Sequence, residues 1–180
     1  MSIFFAERWA RVDQPSTITQ DRFSTIGYAT VGGEGTAVNQ AELQKMAEER
    51  LKDAKTLIDG NRWEFSYYAA GYAVECALKS CVLARMIHTA WVFEEKWDAR
   101  GCLTHEFGKL VSLAGLTDQL NANLKASATD DGEFAANWAT TEKWTVTSRY
   151  EAKTEEDAKK LFAAIADEPY GVLRWIRNYW

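Results

Sequence analysis

The sequence predicts an all-α fold: an up-and-down bundle of four or five helices behind an extended N-terminal arm. Three observations predict it. From about residue 43 onward, apolar residues recur at three- and four-residue spacing, the period of a helix buried on one side. Asn39 with Glu42, Asn61 with Glu64 and Thr154 with Asp157 each pair a capping side chain with an acidic residue three positions on, the mark of a helix start. Two prolines in 180 residues leave long stretches free of helix breakers. No alternating pattern of comparable strength points to a strand.

Residues 1–38 form the arm and residues 39–180 the helical domain. The arm is rich in Ser, Thr and Gly, yet Phe4, Phe5, Trp9, Phe23, Ile26, Tyr28 and Val31 make it too apolar for a solvated tail. It is expected to pack on the bundle or on a neighbouring subunit. Gly32-Gly33-Glu34-Gly35 is a break in the chain; it lacks the Gly-Lys-Ser/Thr ending of a phosphate loop.

The first helix starts after Asn39 and presents Leu43, Met46, Ala47, Leu51, Ala54, Leu57 and Ile58 on one side. Gly60 is expected to stop it in a left-handed conformation. With Asn61 capping the next helix, the turn is tight and the two helices must be antiparallel neighbours. The second helix has an apolar face of Trp63, Tyr67, Ala70, Gly71, Val74, Leu78 and Val82. Small residues at Ala69, Ala70, Gly71 and Ala73 invite another helix to approach closely. The helix is expected to run past Arg85 and His88 into the aromatic stretch Trp91 to Trp97.

Gly101 interrupts, and Thr104 can cap a third helix through Phe107, Leu110, Val111 and Ala114 to Gly115. Leu116 to Lys125 adds a short helix. Residues 127–150 read as a long connection carrying Phe134, Trp138, Trp144 and Tyr150, and loops of that length are usually functional or interfacial. Thr154 opens a further helix through Ala158, Leu161, Phe162 and Ile165. Pro169 is placed as the first residue of a final helix, Tyr170 to Trp180.

A formal net charge of −5 argues against nonspecific coating of DNA or RNA, which needs concentrated Lys and Arg, but leaves room for a local basic site. Three cysteines without a CxxC spacing read as reduced thiols of a cytoplasmic protein, with Cys76 and Cys81 buried in the second helix. The longest uncharged stretch, Phe23 to Gly33, is too short to span a membrane. Glu7 and Arg8 follow the first apolar residues too soon for a signal peptide. No His, Cys or carboxylate cluster has metal-ligand spacing, so neither a metal nor another cofactor is expected.

Four groups of residues carry candidate chemistry. Arg100-Gly-Cys-Leu-Thr-His105 sets a guanidinium four residues from an imidazole, a workable pair for a phosphodiester because His can give or take a proton near neutrality; the plainer role of His105 is at a helix start. Glu75 and Lys79 stand at i and i+4 in the orientation that favours an ion pair. Arg149 and Tyr150 offer a cation and a stacking ring to a base, or Arg149 pairs with Glu75 and the motif is architectural. Arg85 and His88, three apart, share a helix face, most simply as a polar patch.

The segment from Tyr67 to Lys79, Tyr-Tyr-Ala-Ala-Gly-Tyr-Ala-Val-Glu-Cys-Ala-Leu-Lys, resembles the second helix of HEPN domains. Arg50-Leu-Lys-Asp-Ala-Lys with Leu57 ahead of it, Thr104-His105-Glu106-Phe107 with Leu110 behind it, and Ser148-Arg149-Tyr150-Glu151 further on are similar to supporting elements of the family, in the same order. The resemblance covers about residues 43 to 178. It implies a helical bundle that usually forms a homodimer and one of two kinds of work. Many members are metal-independent RNases of toxin or defence systems, with an Arg-x4-6-His motif on a late helix. Others are noncatalytic modules that bind a nucleotide, RNA or a protein such as a nucleotidyltransferase-type antitoxin. The present sequence departs from the RNase pattern. Its two histidines are His88 and His105, and the final helix carries Arg174 and Arg177 without a histidine. The expectation is therefore a noncatalytic binding module, with Glu75, Lys79, Arg149 and Tyr150 as ligand contacts. The rivals are an RNase using Arg100 and His105, and an adaptor that binds a protein through the aromatic 127–150 segment.

Overall fold

Asn39 stands at the head of the first helix. Its side chain accepts the Glu42 N–H at 2.9 Å, and the Glu42 carboxylate accepts the Asn39 N–H at 2.8 Å. Two N–H groups that a helix start would otherwise leave unpaired are thus satisfied, and α1 runs from Gln40 to Asp59. The structure is a computed structural model that describes residues 38–88, 102–129 and 132–180. The expected arm up to residue 37, the stretch Trp91 to Trp97, Arg100 and Gly101 lie outside the described residues.

The turn after α1 differs from expectation. The left-handed residue is Asn61, with φ 56°, whereas Gly60 has φ −90°. Asn tolerates this region because its short polar side chain can bond locally. The second helix, α2, spans Trp63–His88 and so begins one residue later than an Asn61–Glu64 cap requires. Across the hairpin the Ser66 hydroxyl donates to the Ala54 carbonyl at 2.9 Å in a buried position.

From Ser66 to Val82, α2 is buried almost all round, as befits a helix at the centre of a core rather than at its edge. It packs against α1, α3 (Phe107–Ala114), α6 (Glu155–Ala166), α7 (Val172–Ile176) and a 3-10 turn at Val146–Tyr150. Val74 and Leu78 on α2 meet a cluster built from Ala47 and Ala54, Leu110 and Val111, Leu161 and Ile165, and Val172, Leu173 and Ile176. Gly115, φ 73°, ends α3 in a left-handed cap. Arg85 of α2 donates to the Leu113 carbonyl of that end at 2.9 Å, a cation meeting the negative end of a helix dipole. His88, the other member of that pair, has its side chain outside the described part.

Residues 127–150 are not a long connection. α4 (Thr117–Thr129) extends into them, α5 occupies Glu133–Thr141, and the 3-10 turn closes the segment. Phe134, Trp138 and Trp144 are buried, so these rings fill the interior instead of lining a surface. Phe134 and Trp138 both meet Trp175, with ring centroids 5.8 and 5.9 Å apart. A short helix such as α5 has little area to bury, and large rings supply it. The described residues therefore hold seven α-helices, more than the four or five expected, and they are all-α. The last helix is also shorter than expected. Pro169 follows a cis peptide bond in a turn before α7 and is not its first residue. Arg177, just past α7, clamps Glu48 of α1 with two hydrogen bonds of 2.8 Å. No helix among the described residues is long and apolar enough to cross a membrane.

Candidate functional site

Tyr68, Tyr72, Glu75 and Lys79 recur at four-, three- and four-residue intervals, so they form a stripe along one face of α2. Glu75 is the polar centre of that stripe and only 1% exposed. Its Oε1 accepts the Lys79 ammonium at 2.7 Å and meets His105 Nδ1 at 2.9 Å. An ionised carboxylate only accepts, so Nδ1 carries the proton and Nε2 is the remaining polar atom of a ring that is 45% exposed. Glu75 Oε2 is buried with no hydrogen-bond partner among the described residues. Two groups that the sequence presented separately, the Glu75–Lys79 pair and His105, are thus one cluster. His105 sits in the segment before α3 and reaches Glu75, so it does not cap the helix; Glu106 occupies the cap position. Its proposed partner Arg100 lies outside the described residues.

One to two turns towards the start of α2, Gly71 lets a ring rest on the helix backbone. A Cβ at Gly71 would lie 2.3 Å from the Trp144 indole. The small residues of α2 were expected to admit another helix; at Gly71 what they admit is a tryptophan. Trp144 in turn stacks on Phe107 at 5.2 Å and tilts against Tyr68 at 5.9 Å. Tyr68 and Tyr72 are parallel, with centroids 6.0 Å apart. Burial pushes the Tyr72 hydroxyl up to about 12, with help from the Cys76 thiol and the Glu75 carboxylate, so it stays a neutral donor. Burial likewise raises Cys76 to about 11 and Cys81 to about 12, which keeps both thiols protonated and unreactive.

Anchoring Trp144 on Gly71 decides where the following 3-10 turn sits. Within that turn Arg149 lies over the Tyr150 ring, 4.8 Å from the centroid. Hydrogen bonding to Tyr150, then to Tyr68, raises the pKa of the guanidinium still further. Arg149 does not pair with Glu75, whose partners are Lys79 and His105, because the turn docks nearer the start of α2. Tyr150 is 78% exposed. Sequence reasoning found Glu75, Lys79, His105, Arg149 and Tyr150 but missed Tyr68, Tyr72 and Trp144 as their setting. The signal for the first two was present, since both fall on the helical stripe that contains Glu75 and Lys79. Nothing local marks Trp144. Among the described residues no group of three or more His, Cys, Asp or Glu could hold a metal ion.

The arrangement presents an exposed cation at Arg149, a partly exposed one at Lys79 and the His105 imidazole beside aromatic rings on one helix face. It suits a ligand that carries both negative charge and flat rings. No curated protein and no solved structure matches the chain at a significant level. Residues 41–92, which contain nearly all of α1 and α2 and so Tyr68, Tyr72, Glu75 and Lys79, match the family model of the HEPN domain, the family that the Tyr67–Lys79 helix resembles.

Proposed function

We propose that the chain is a noncatalytic helical module that binds a nucleotide or a nucleic acid at this face of α2. Its setting, by the family resemblance, is a cytoplasmic prokaryotic toxin–antitoxin or defence system. There it acts as a symmetric homodimer and meets a protein of nucleotidyltransferase type. The observation that carries the binding function is one face of α2 that holds Tyr68 and Tyr72, with Arg149 and Tyr150 at its Tyr68 end and Lys79 and His105 on the buried carboxylate of Glu75 at the other. The late arginines do not offer a second phosphate site. Arg174 faces Glu168, and Arg177 is shared between Glu48 and Glu168. Thermal unfolding of the full chain with ATP or a short mixed RNA tests the function. A raised melting temperature, lost in Arg149→Ala, is expected. A flat response to every ligand overturns it.

One observation favours a second reading, a metal-independent RNase. Glu75 holds His105 by Nδ1, which orients an imidazole for acid–base work at Nε2. Metal-free cleavage of single-stranded RNA that disappears in His105→Ala would select it; intact RNA is the expected result. The adaptor reading loses most of the surface it relied on, since Phe134, Trp138 and Trp144 are core residues and Tyr150 alone of that segment's rings stays exposed.

A further inference from the structure

We infer that the groove between α1 and α2 is a track for single-stranded nucleic acid, several nucleotides long, running beside the Arg149–Tyr150 site. The groove has a volume of about 490 Å³ and is lined by Met46, Arg50, Leu57, Phe65, Tyr68 and Tyr72 among others. Tyr68 belongs to both places, since it lines the groove and also interacts with Arg149. The inference rests on the nucleic-acid reading above and extends it by naming the path and the strandedness of the ligand.

Two observations choose this occupant. The first is the state of the arginines. Arg50 is paired with Asp53 at 2.6 Å, and Arg174 and Arg177 also face carboxylates. Arg62 and Arg149 have no carboxylate partner among the described residues, and each lies over an exposed ring: Arg62 at 5.8 Å from Phe65, Arg149 at 4.8 Å from Tyr150. A guanidinium resting on a ring keeps N–H donors at its edge, where a phosphate can accept them. Phe65 is 55% exposed, so a base can reach its ring from solvent.

The second observation is spacing. Phe65, Tyr68 and Tyr72 stand at i, i+3 and i+7, which spreads them over about 10 Å of helix axis. That length corresponds to about three nucleotides stacked at ~3.4 Å each. A duplex hides its base faces within its own stack, whereas a single strand can turn them onto rings. An apolar peptide would use Met46, Leu57 and Phe65 but would gain nothing from the two guanidinium groups that lack a carboxylate partner among the described residues.

Fluorescence anisotropy with labelled single-stranded RNA and DNA, the matching duplex, and ATP as competitor tests the inference on the full chain. The variants are Phe65→Ala and Arg62→Ala, whose side chains are exposed, so both are expected to keep the wild-type melting curve. Each is expected to weaken single-strand binding about fivefold or more, the lower end of what one base–ring stack contributes, while stabilisation by ATP is unchanged. Loss on RNA and DNA alike assigns the groove to the shared chemistry of the strand; loss on RNA alone assigns it to RNA. Three outcomes overturn the track and leave the broader binding function standing: single strands bind but neither variant matters, the duplex binds as well as the single strand, or Phe65→Ala alters only the sedimentation of the protein. Failure of ATP and every oligonucleotide to bind overturns both.

Discussion

Glu75 shows how much one residue decides. Its carboxylate is buried, while both of its partners reach solvent: the Lys79 side chain is 24% exposed and that of His105 45%. The two sides of the cluster should therefore respond unequally to mutation. Removing Lys79 leaves a buried charge short of one donor, whereas Glu75→Gln removes the charge and leaves the Lys79 and His105 side chains to water. We expect Lys79→Met to destabilise the protein by about 1–3 kcal/mol, the cost of depriving a buried group of its partner. Glu75→Gln should cost less. Urea unfolding of the two variants checks the order, and a larger loss in Glu75→Gln would show that the carboxylate is not the strained member. At this scale the sequence was a fair guide to residue types and a poor one to their partners. Helical spacing linked Glu75 to Lys79, but no spacing rule links Glu75 to His105, thirty positions away.

Elements were legible where a local signal sets their ends. The capping boxes at Asn39 and Thr154 are both present, and the left-handed Gly115 closes α3. They were illegible where tertiary packing forms the helix. α5 has nine residues and no side-chain cap, and it is held by Phe134 and Trp138 against Trp175, a contact no window of sequence displays. The cap of α6 supports a quantitative expectation. Thr154 gives its backbone N–H and its hydroxyl to Asp157, at 3.0 and 2.7 Å, and these bonds hold the Asp157 pKa below the usual carboxylate value. A carboxyl depressed in the folded state stabilises it above the unfolded pKa, and that contribution fades as pH falls through the folded value. Thr154→Ala should cost about 1 kcal/mol at neutral pH. The gap from wild type should shrink below about pH 4, where the unfolded carboxyl begins to protonate. Denaturation at pH 7 and pH 3 measures both gaps; a constant gap would remove Asp157 from the account.

At the scale of the whole molecule, the buried cluster joins residues from each of the seven helices of the described residues, from Ala47 in α1 to Ile176 in α7. It also takes up half of the aromatic surplus that suggested self-association. By sequence, the rings in two segments, 1–38 and 127–150, are surplus to a single bundle, and exposed apolar surface of that extent is unusual on a monomer. Phe134, Trp138 and Trp144 now have an interior role. If the chain forms the symmetric homodimer proposed above, residues 1–38, with Phe4, Phe5, Trp9, Phe23 and Tyr28, become the better source of its interface. The fragment 39–180 should accordingly fold by itself, since it contains the cluster that the described residues form, and should unfold in one cooperative step. It should also sediment as a monomer at concentrations on the order of tens of micromolar, where the full chain is expected to sediment as a dimer. A fragment that melts without a cooperative transition would show that residues 1–38 complete the core. A fragment that remains dimeric would move the interface onto the helices themselves, with the exposed rim of the α1–α2 groove at Phe65 the first place to look.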